Sequence, residues 1–227
     1  MTFTRYAIYF APPAEAGWTK FATQWLGWDM ETGQAVAHPD IAGVDVSSMT
    51  EVPRKYGLHA TMKPPFRLAV GQSFDGLHAA CAEFAATRAP VVLDGLEIAR
   101  LGRFLALRPV GDTADLNALA AGCVGELDAF RAPAPQSELD RRRGAGLTPE
   151  QEANLVQWGY PYVMEAFRFH ITLSGRLDKP TLSKVQKTLE DRLAPSLPNP
   201  FKIKDLALVG EAEDGRFHMI HRYVLSG

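Results

Sequence analysis

The sequence contains the pattern His-x-Thr twice, at His59-Ala60-Thr61 and at His170-Ile171-Thr172. Apolar and polar residues alternate around both copies, and a period of two is typical of a β-strand in which residues i and i+2 share one face. Each histidine is therefore predicted to share a face with its threonine. Two such strands brought together would place two imidazoles and two hydroxyls in one cleft, a set suited to acid–base chemistry on a phosphate ester.

The two histidines are the candidate proton carriers. Imidazole has an unperturbed pKa of about 6.5, so a pair can hold one proton between them near neutral pH. A neutral imidazole can accept a proton from an attacking water, and a charged one can protonate the leaving oxygen. His59 and His170 are thus predicted as the acid–base pair, with Thr61 and Thr172 donating hydrogen bonds to the non-bridging oxygens. The sequence does not say which histidine is the base, and this chemistry needs no metal or cofactor.

Residues beside the motifs are candidates for holding a phosphorylated substrate. Arg168 lies two positions before His170 and Lys63 two positions after Thr61, so both are predicted on the cleft face, where they could neutralise phosphate charge. Three tyrosines, Tyr56, Tyr160 and Tyr162, are candidates for stacking on a sugar or base. For Tyr160 and Tyr162, packing between lobes is the alternative.

A run of three arginines, Arg141–Arg143, lies in the segment 131–149, which is predicted as a loop from its prolines and glycines. Such a run is usually a solvated surface. The alternative hypothesis is a mobile lid in which Arg142 contacts an anionic substrate.

The elements around the motifs follow a repeated order. Each half of the chain is predicted to give a His-x-Thr strand, a helix, a strand, a turn and a strand. The two turns carry Gly102-Arg103-Phe104 and Gly215-Arg216-Phe217 at similar offsets from the motif histidine. This repeat predicts an α+β fold with two lobes related by a pseudo-twofold axis, each an antiparallel sheet with outer helices, around a central cleft. One bilobed domain with interleaved lobes is expected over 1–227, with motif strands near 56–63 and 166–174 and an insertion near 131–163.

The remaining elements are predicted from apolar periodicity and capping residues. Residues 29–53, rich in glycine, proline and aspartate, are predicted as a long surface connection. A first strand is expected at 5–10 and further strands at 91–99, 104–110, 201–209 and 217–225. Helices are expected around 18–26, after Ser73, after Asp112 or Thr113, after Thr148 and at 181–193.

Composition is ordinary for a soluble globular protein, with 46% hydrophobic residues in 227. A net charge of −2 argues against wrapping long nucleic acid, though not against a local anion site. Cys81 and Cys123 lie within predicted helices and are expected as buried free thiols in a reducing compartment. The N-terminal apolar run is too short for a signal peptide, and no segment has the length of a membrane span. A cytoplasmic protein without a membrane partner is therefore expected.

The two motifs in their strand context resemble the 2H phosphoesterase superfamily, which includes RNA 2′,3′-cyclic phosphodiesterases and 2′-5′ RNA ligase-like proteins. The resemblance covers nearly the whole chain and implies paired motif strands in a bilobed α+β fold. The segment Trp158–Val163, followed by Phe167-Arg168-Phe169-His170, is most similar to a bacterial branch associated with phosphonate-utilisation genes. The long insertion departs from the compact RNA-processing members.

These observations predict a metal-independent cyclic phosphodiesterase that acts on a small nucleotide or sugar cyclic phosphate. RNA end processing, by opening a terminal 2′,3′-cyclic phosphate or by ligation, is an alternative that would need a basic groove with aromatic residues. A protein that binds a phosphorylated ligand without turnover is a third hypothesis. The oligomeric state is open.

Overall fold

The computed structural model describes residues 2–227, which form eleven strands and seven α-helices. The helices are α1 (Gly17–Leu26), α2 (Val46–Arg54), α3 (Phe74–Ala86), α4 (Ala114–Glu126), α5 (Gln136–Arg143), α6 (Pro149–Trp158) and α7 (Lys179–Arg192). The strands are β1 (Arg5–Phe10), β2 (Trp28–Asp29), β3 (Gln34–Ala35), β4 (Ala60–Phe66), β5 (Val91–Leu93), β6 (Gly95–Leu101), β7 (Phe104–Val110), β8 (Ile171–Thr172), β9 (Phe201–Ile203), β10 (Asp205–Glu211) and β11 (Phe217–Val224).

The strands form two main antiparallel sheets, which confirms the predicted α+β class. One sheet has four strands in the order β11-β10-β1-β4, and the other has three in the order β6-β7-β8. Strands β2 and β3 form a small hairpin, and β5 pairs with β9. The two motif strands therefore belong to different sheets.

Each motif strand shares its sheet with a hairpin from the other half of the sequence. The first motif strand, β4, lies in the sheet that contains the β10–β11 hairpin from the second half. The second motif strand, β8, pairs with β7 of the β6–β7 hairpin from the first half. The repeat is present, but its two lobes are interleaved along the chain.

A continuous hydrophobic core joins the two sheets. The buried ring of Phe10 in β1 lies 6.0 Å from that of Phe169, beside the second motif, and both pack against Phe201. Two hydrogen bonds also connect the first half of the chain to the segment that follows the second motif. Trp25 of α1 donates its Nε1–H to the Leu173 carbonyl at 2.8 Å, and the Gly175 amide donates to the Met49 carbonyl at 2.7 Å. The positions of the two motifs are thus fixed relative to each other by the interior.

The predicted connection over 29–53 is more ordered than its composition suggests. It contains part of the β2–β3 hairpin and helix α2. The side chain of Asp45 caps α2 by accepting from the Ser48 amide at 3.1 Å. Serine, threonine and Pro53 obscure the helical pattern, because each is an unfavourable helix residue when propensity alone is considered.

The predicted loop 131–149 also contains a helix, α5, whose polar side chains support one another at a spacing of four residues. Gln136 donates to Asp140 at 2.8 Å, and Arg142 donates to Glu138 at 2.6 Å. Such pairs stabilise a helix that has no buried residue of its own.

Both motif histidines precede their strands by one residue. Strand β4 begins at Ala60 and continues through Pro64 and Pro65, which an edge strand tolerates because one row of its N–H groups has no ladder partner. Strand β8 has only two residues, shorter than the predicted 166–174, and a single 3₁₀ turn at Met164–Ala166 precedes it.

Lys63 does not lie on the face that strand alternation predicts. Thr61 is opposite Tyr9 and Lys63 is opposite Ile8, so β4 holds one extra residue at this point. The bulge turns Lys63 towards α4, where its Nζ donates to the Val124 carbonyl at 2.8 Å and to Asp128 at 3.2 Å. Burial lowers the pKa of Lys63, and the Asp128 carboxylate opposes that shift. The expectation that Lys63 faces the cleft is corrected by this geometry.

This ion pair yields a stability prediction. Replacing Asp128 by Ala would leave the Lys63 ammonium, 1% exposed, without its counter-charge, and we expect the free energy of unfolding to fall by about 2–3 kcal/mol. Urea unfolding of Asp128→Ala measures the loss. The control Asp191→Ala breaks an exposed pair with Lys187 and is expected to change stability by less than about 0.5 kcal/mol. Equal effects of the two substitutions would contradict the assignment.

Candidate active site

The first motif histidine is held in an aromatic and largely apolar environment. The His59 ring stacks on Tyr9 with 3.9 Å between centroids and 26° between planes, and Tyr56 lies 5.8 Å away on a tilted plane. Tyr9 itself is buried in β1, opposite Thr61. The strand that neighbours the motif therefore supplies the surface against which the imidazole rests.

One hydrogen bond fixes the tautomer of His59. Its Nδ1 lies 3.0 Å from the carbonyl oxygen of Gly57, and a carbonyl can only accept, so Nδ1 carries the proton. Gly57 has a φ of 69°, a conformation that favours glycine, and an added Cβ would lie 3.0 Å from the Met30 side chain. In the neutral ring Nε2 is then the free base, and Thr61 Oγ1, 3.3 Å away, donates to it.

This environment favours the neutral form of His59. Burial lowers the pKa of its imidazole to about 4, while the Gly57 carbonyl opposes the shift and a positive charge on His170 adds to it. His59 is thus a neutral imidazole throughout the physiological range.

The second motif histidine repeats the same backbone bond. Nδ1 of His170 donates to the carbonyl of Arg168, two residues earlier, at 2.8 Å, as Nδ1 of His59 does to Gly57. His170 has a different neighbour, Phe104, with 5.9 Å between ring centroids. Both rings therefore keep Nε2 as the nitrogen available for proton transfer.

A cavity of about 510 Å³ is lined by one residue of each motif, His59 and Thr172, whereas Thr61 and His170 are not among its lining residues. His59 and Tyr56 line one side, and Phe104 and Thr172 line the other. The Ser174 hydroxyl is buried and already bonded to the backbone, since it accepts from the Leu105 amide and donates to the Gly175 carbonyl. The remaining lining residues are Val52, Pro53, Gly57, Gly175 and Arg176. The volume is in the range of pockets that take small molecules.

The insertion contains three further predicted site residues, which contact one another. The Arg142 guanidinium lies 4.5 Å from the centre of the half-buried Tyr160 ring, and Tyr162, 45% exposed, contacts Tyr160 edge to face. Burial raises the pKa of the Tyr160 hydroxyl, and the Arg142 charge opposes the shift. None of these three residues lines the cavity, so their predicted contact with substrate remains a prediction.

The arginine run offers little free charge. Arg142 pairs with Glu138 at 2.6 Å, and Arg143 pairs with Glu152 at 2.8 Å. Neighbouring carboxylates therefore offset the charge of two of the three guanidiniums in this run.

Arg168 turns back onto its own segment. Its Nη1 donates to the carbonyl of Glu165 at 2.8 Å and also to that of Phe167. The side chain thereby braces the turn before His170. The structure does not bring it into the cavity lining, because residues 167–170 do not form the strand on which its predicted direction depended.

Three contributors to the site were not predicted from the sequence: Tyr9, Phe104 and Arg176. Arg176 lines the cavity four residues after Thr172, outside any strand. Strand alternation gave no direction for its side chain, although a basic residue so close to the second motif was a usable signal. Tyr9 and Phe104 enter through pairing and packing between segments distant in sequence.

Within residues 2–227, no group of three or more His, Cys, Asp or Glu side chains is placed to hold a metal ion, and no helix is both long and apolar enough to cross a membrane. Cys81 and Cys123 are buried free thiols, as predicted, and burial raises the pKa of Cys81 to about 12.

Comparison with known proteins first identifies a sequence family. A family model described as "Protein of unknown function (DUF1045)" matches residues 61–218, which include both motifs. Two curated relatives are named ribose 1,5-bisphosphate phosphokinase PhnN. The one from Janthinobacterium sp. (strain Marseille) is 36% identical over 93% of this chain, and the one from Laribacter hongkongensis (strain HLHK9) is 33% identical over 97%. The match covers 48% and 51% of these relatives, so the chain spans about half their length.

Solved structures with a similar course of the chain are more distant. One described as a phosphoesterase is 14% identical, with a TM-score of 0.44 over 99% of both chains. E. coli LigT in complex with 3′-AMP is 15% identical, with a TM-score of 0.45 over all of both chains.

The enclosure of His59 predicts an unusual titration. In an NMR titration of the histidine ring protons, the His59 signal is expected to move with an apparent pKa near 4, because burial disfavours the imidazolium. The His59→Ala variant assigns the signal, and the exposed His221 provides an internal comparison. A His59 midpoint at the ordinary value near 6.5 would contradict the buried, neutral assignment.

Proposed function

Because the chain belongs to the DUF1045 family of proteins of unknown function, we propose its activity from the site itself: metal-independent hydrolysis of the cyclic phosphodiester of a small sugar or nucleotide. The observation that carries the proposal is the matched pair of imidazoles. Each is fixed through Nδ1 to a carbonyl two residues earlier, and one residue of each motif, His59 and Thr172, lines the same small cavity. The proposal places this 2H-type phosphoesterase in the cytoplasm, where both free thiols would persist.

In this proposal His59 is the general base and His170 the general acid. The stacking of His59 on Tyr9 and its enclosure keep the ring neutral, with an unprotonated Nε2. His170 has the same tautomer-fixing bond without a stacked aromatic partner, and the proposal assigns the acid role to this second imidazole.

The proposed reaction is hydrolysis of a phosphodiester by general acid–base catalysis. His59 Nε2 takes a proton from water as the water oxygen attacks phosphorus. The ester bond to one sugar oxygen breaks, and that oxygen takes a proton from His170 Nε2. The product is a phosphate monoester with a free hydroxyl. Thr172, which lines the cavity, and Thr61, which bonds His59 before substrate enters, would donate to the non-bridging oxygens as negative charge develops there.

The substrate side of the proposal is a small phosphorylated molecule. A cavity of about 510 Å³ with apolar walls suits one sugar or nucleoside unit, and the paired charges of the insertion do not favour a polynucleotide. The curated relatives are named for ribose 1,5-bisphosphate, which makes a cyclic phosphate of ribose the first compound to test. The similarity of the segment Trp158–His170 to a phosphonate-associated branch extends the proposal to phosphonate utilisation.

Turnover of 2′,3′-cyclic nucleotides and of ribose cyclic phosphates in the presence of EDTA tests the reaction class. His59→Ala and His170→Ala are each expected to reduce kcat/KM by about 10²–10⁴-fold, because each removes one proton transfer. The matched control His221→Ala changes an exposed histidine of β11 outside the site and is expected to retain the wild-type rate. Near-wild-type turnover by either motif variant would remove that histidine from the mechanism.

A separate prediction concerns pH. Since the base must be neutral, kcat/KM is expected to fall on the acid side only as pH drops through about 4, rather than through the ordinary 6.5. A pH–rate profile from about 3.5 to 8 measures this midpoint, with unfolding followed in parallel by circular dichroism. An acid limb centred near 6.5 would assign the base role elsewhere.

A further inference from the structure

A second cavity, of about 490 Å³, continues from the candidate active site. The two cavities share Val52, Gly175 and Arg176 in their linings. The second one extends between the beginning of α2 and the first turns of α7, with Ser48 and Lys184 among its walls. The two cavities therefore adjoin at Arg176.

Two cationic side chains line this second cavity without a carboxylate partner. Arg176 makes no hydrogen bond or ion pair within the described part of the chain, 2–227, and is exposed at the junction. Lys184 donates its Nζ to the Gly43 carbonyl at 2.6 Å, a neutral acceptor that leaves its charge uncompensated. Gly43 allows this approach, since a Cβ there would lie 2.7 Å from the Lys184 nitrogen.

The single carboxylate in the lining belongs to Asp45, and it is directed at the backbone of α2 through the Ser48 amide. Arg176 and Lys184 together carry two positive charges against this one negative charge. A phosphate monoester carries about −1.5 to −2 at neutral pH, has three acceptor oxygens, and so matches two cations better than a carboxylate does.

From this arrangement we infer that the cavity beyond Arg176 is a subsite for a second, non-reacting phosphate of the substrate. The inference rests on the proposed function, which it narrows to cyclic phosphates of molecules that carry another phosphate. Arg176 would contact that phosphate at the junction of the two cavities and Lys184 at the far wall. Both are specificity-determining residues in this account, because neither touches the reacting bond.

Binding tests the inference without requiring turnover. The probes are 3′-AMP and adenosine 3′,5′-bisphosphate, which differ by one remote phosphate, measured by isothermal titration calorimetry at fixed salt. The wild-type protein is expected to bind the bisphosphate at least about tenfold more tightly. Lys184→Ala and Arg176→Ala are each expected to remove most of that preference, and Lys184→Arg to restore part of it.

The matched control is Lys187→Ala, on the same helix but 77% exposed in its side chain and paired with Asp191, and it is expected to keep the full preference. Equal affinity of the wild type for both probes, no binding of either, or a preference that survives Lys184→Ala would each overturn the inference. A preference for the bisphosphate without turnover of any cyclic phosphate would leave this subsite standing and remove the proposed reaction. Turnover of a cyclic phosphate by a protein that shows no preference for the bisphosphate would support the proposed reaction and overturn the subsite.

Discussion

The site depends on one backbone interaction that occurs twice, the hydrogen bond from a histidine Nδ1 to the carbonyl two residues before it. At His59 the acceptor is Gly57, and at His170 it is Arg168. A carbonyl cannot donate, so the bond determines the tautomer as well as the ring orientation. The proposed chemistry needs the free Nε2 that this constraint provides on both rings.

The two motif histidines have different surroundings in the folded protein. Tyr9 stacks on His59, and the motif strand that follows pairs with β1 in a four-stranded sheet. His170 precedes a strand of two residues and has Phe104, the first residue of β7, as its aromatic neighbour. A duplicated pattern of residues thus gives two imidazoles with different neighbours, and in the proposed mechanism this difference separates the base from the acid.

The interleaving of the lobes explains how such a cleft stays in register. Each motif strand is an edge strand: β4 pairs with β1 in the sheet that also contains the β10–β11 hairpin, and β8 pairs with β7 of the β6–β7 hairpin. The Phe10, Phe169 and Phe201 rings pack between the two sheets. A shift of one lobe would disturb that packing and the bond from Trp25 to the Leu173 carbonyl. The cavity and its extension past Arg176 are formed by the same joint, since Gly175 is bonded to α2 through the Met49 carbonyl.

The two motifs, the α+β class, most helices and the order of the strands could be predicted from the sequence, because these features follow from local periodicity and capping. Helices α2 and α5 were not predicted. In α2, serine, threonine and Pro53 obscure the buried face that Val46 and Met49 provide, and α5 is stabilised by polar pairs rather than by an apolar stripe. The side-chain positions of the charged residues near the motifs depend on the tertiary structure. A single bulge in β4 moved Lys63 to the opposite face, the irregular segment before β8 turned Arg168 onto its own backbone, and Arg176 became part of the lining. Side-chain direction depends on strand register, and register is set by partners that are distant in sequence.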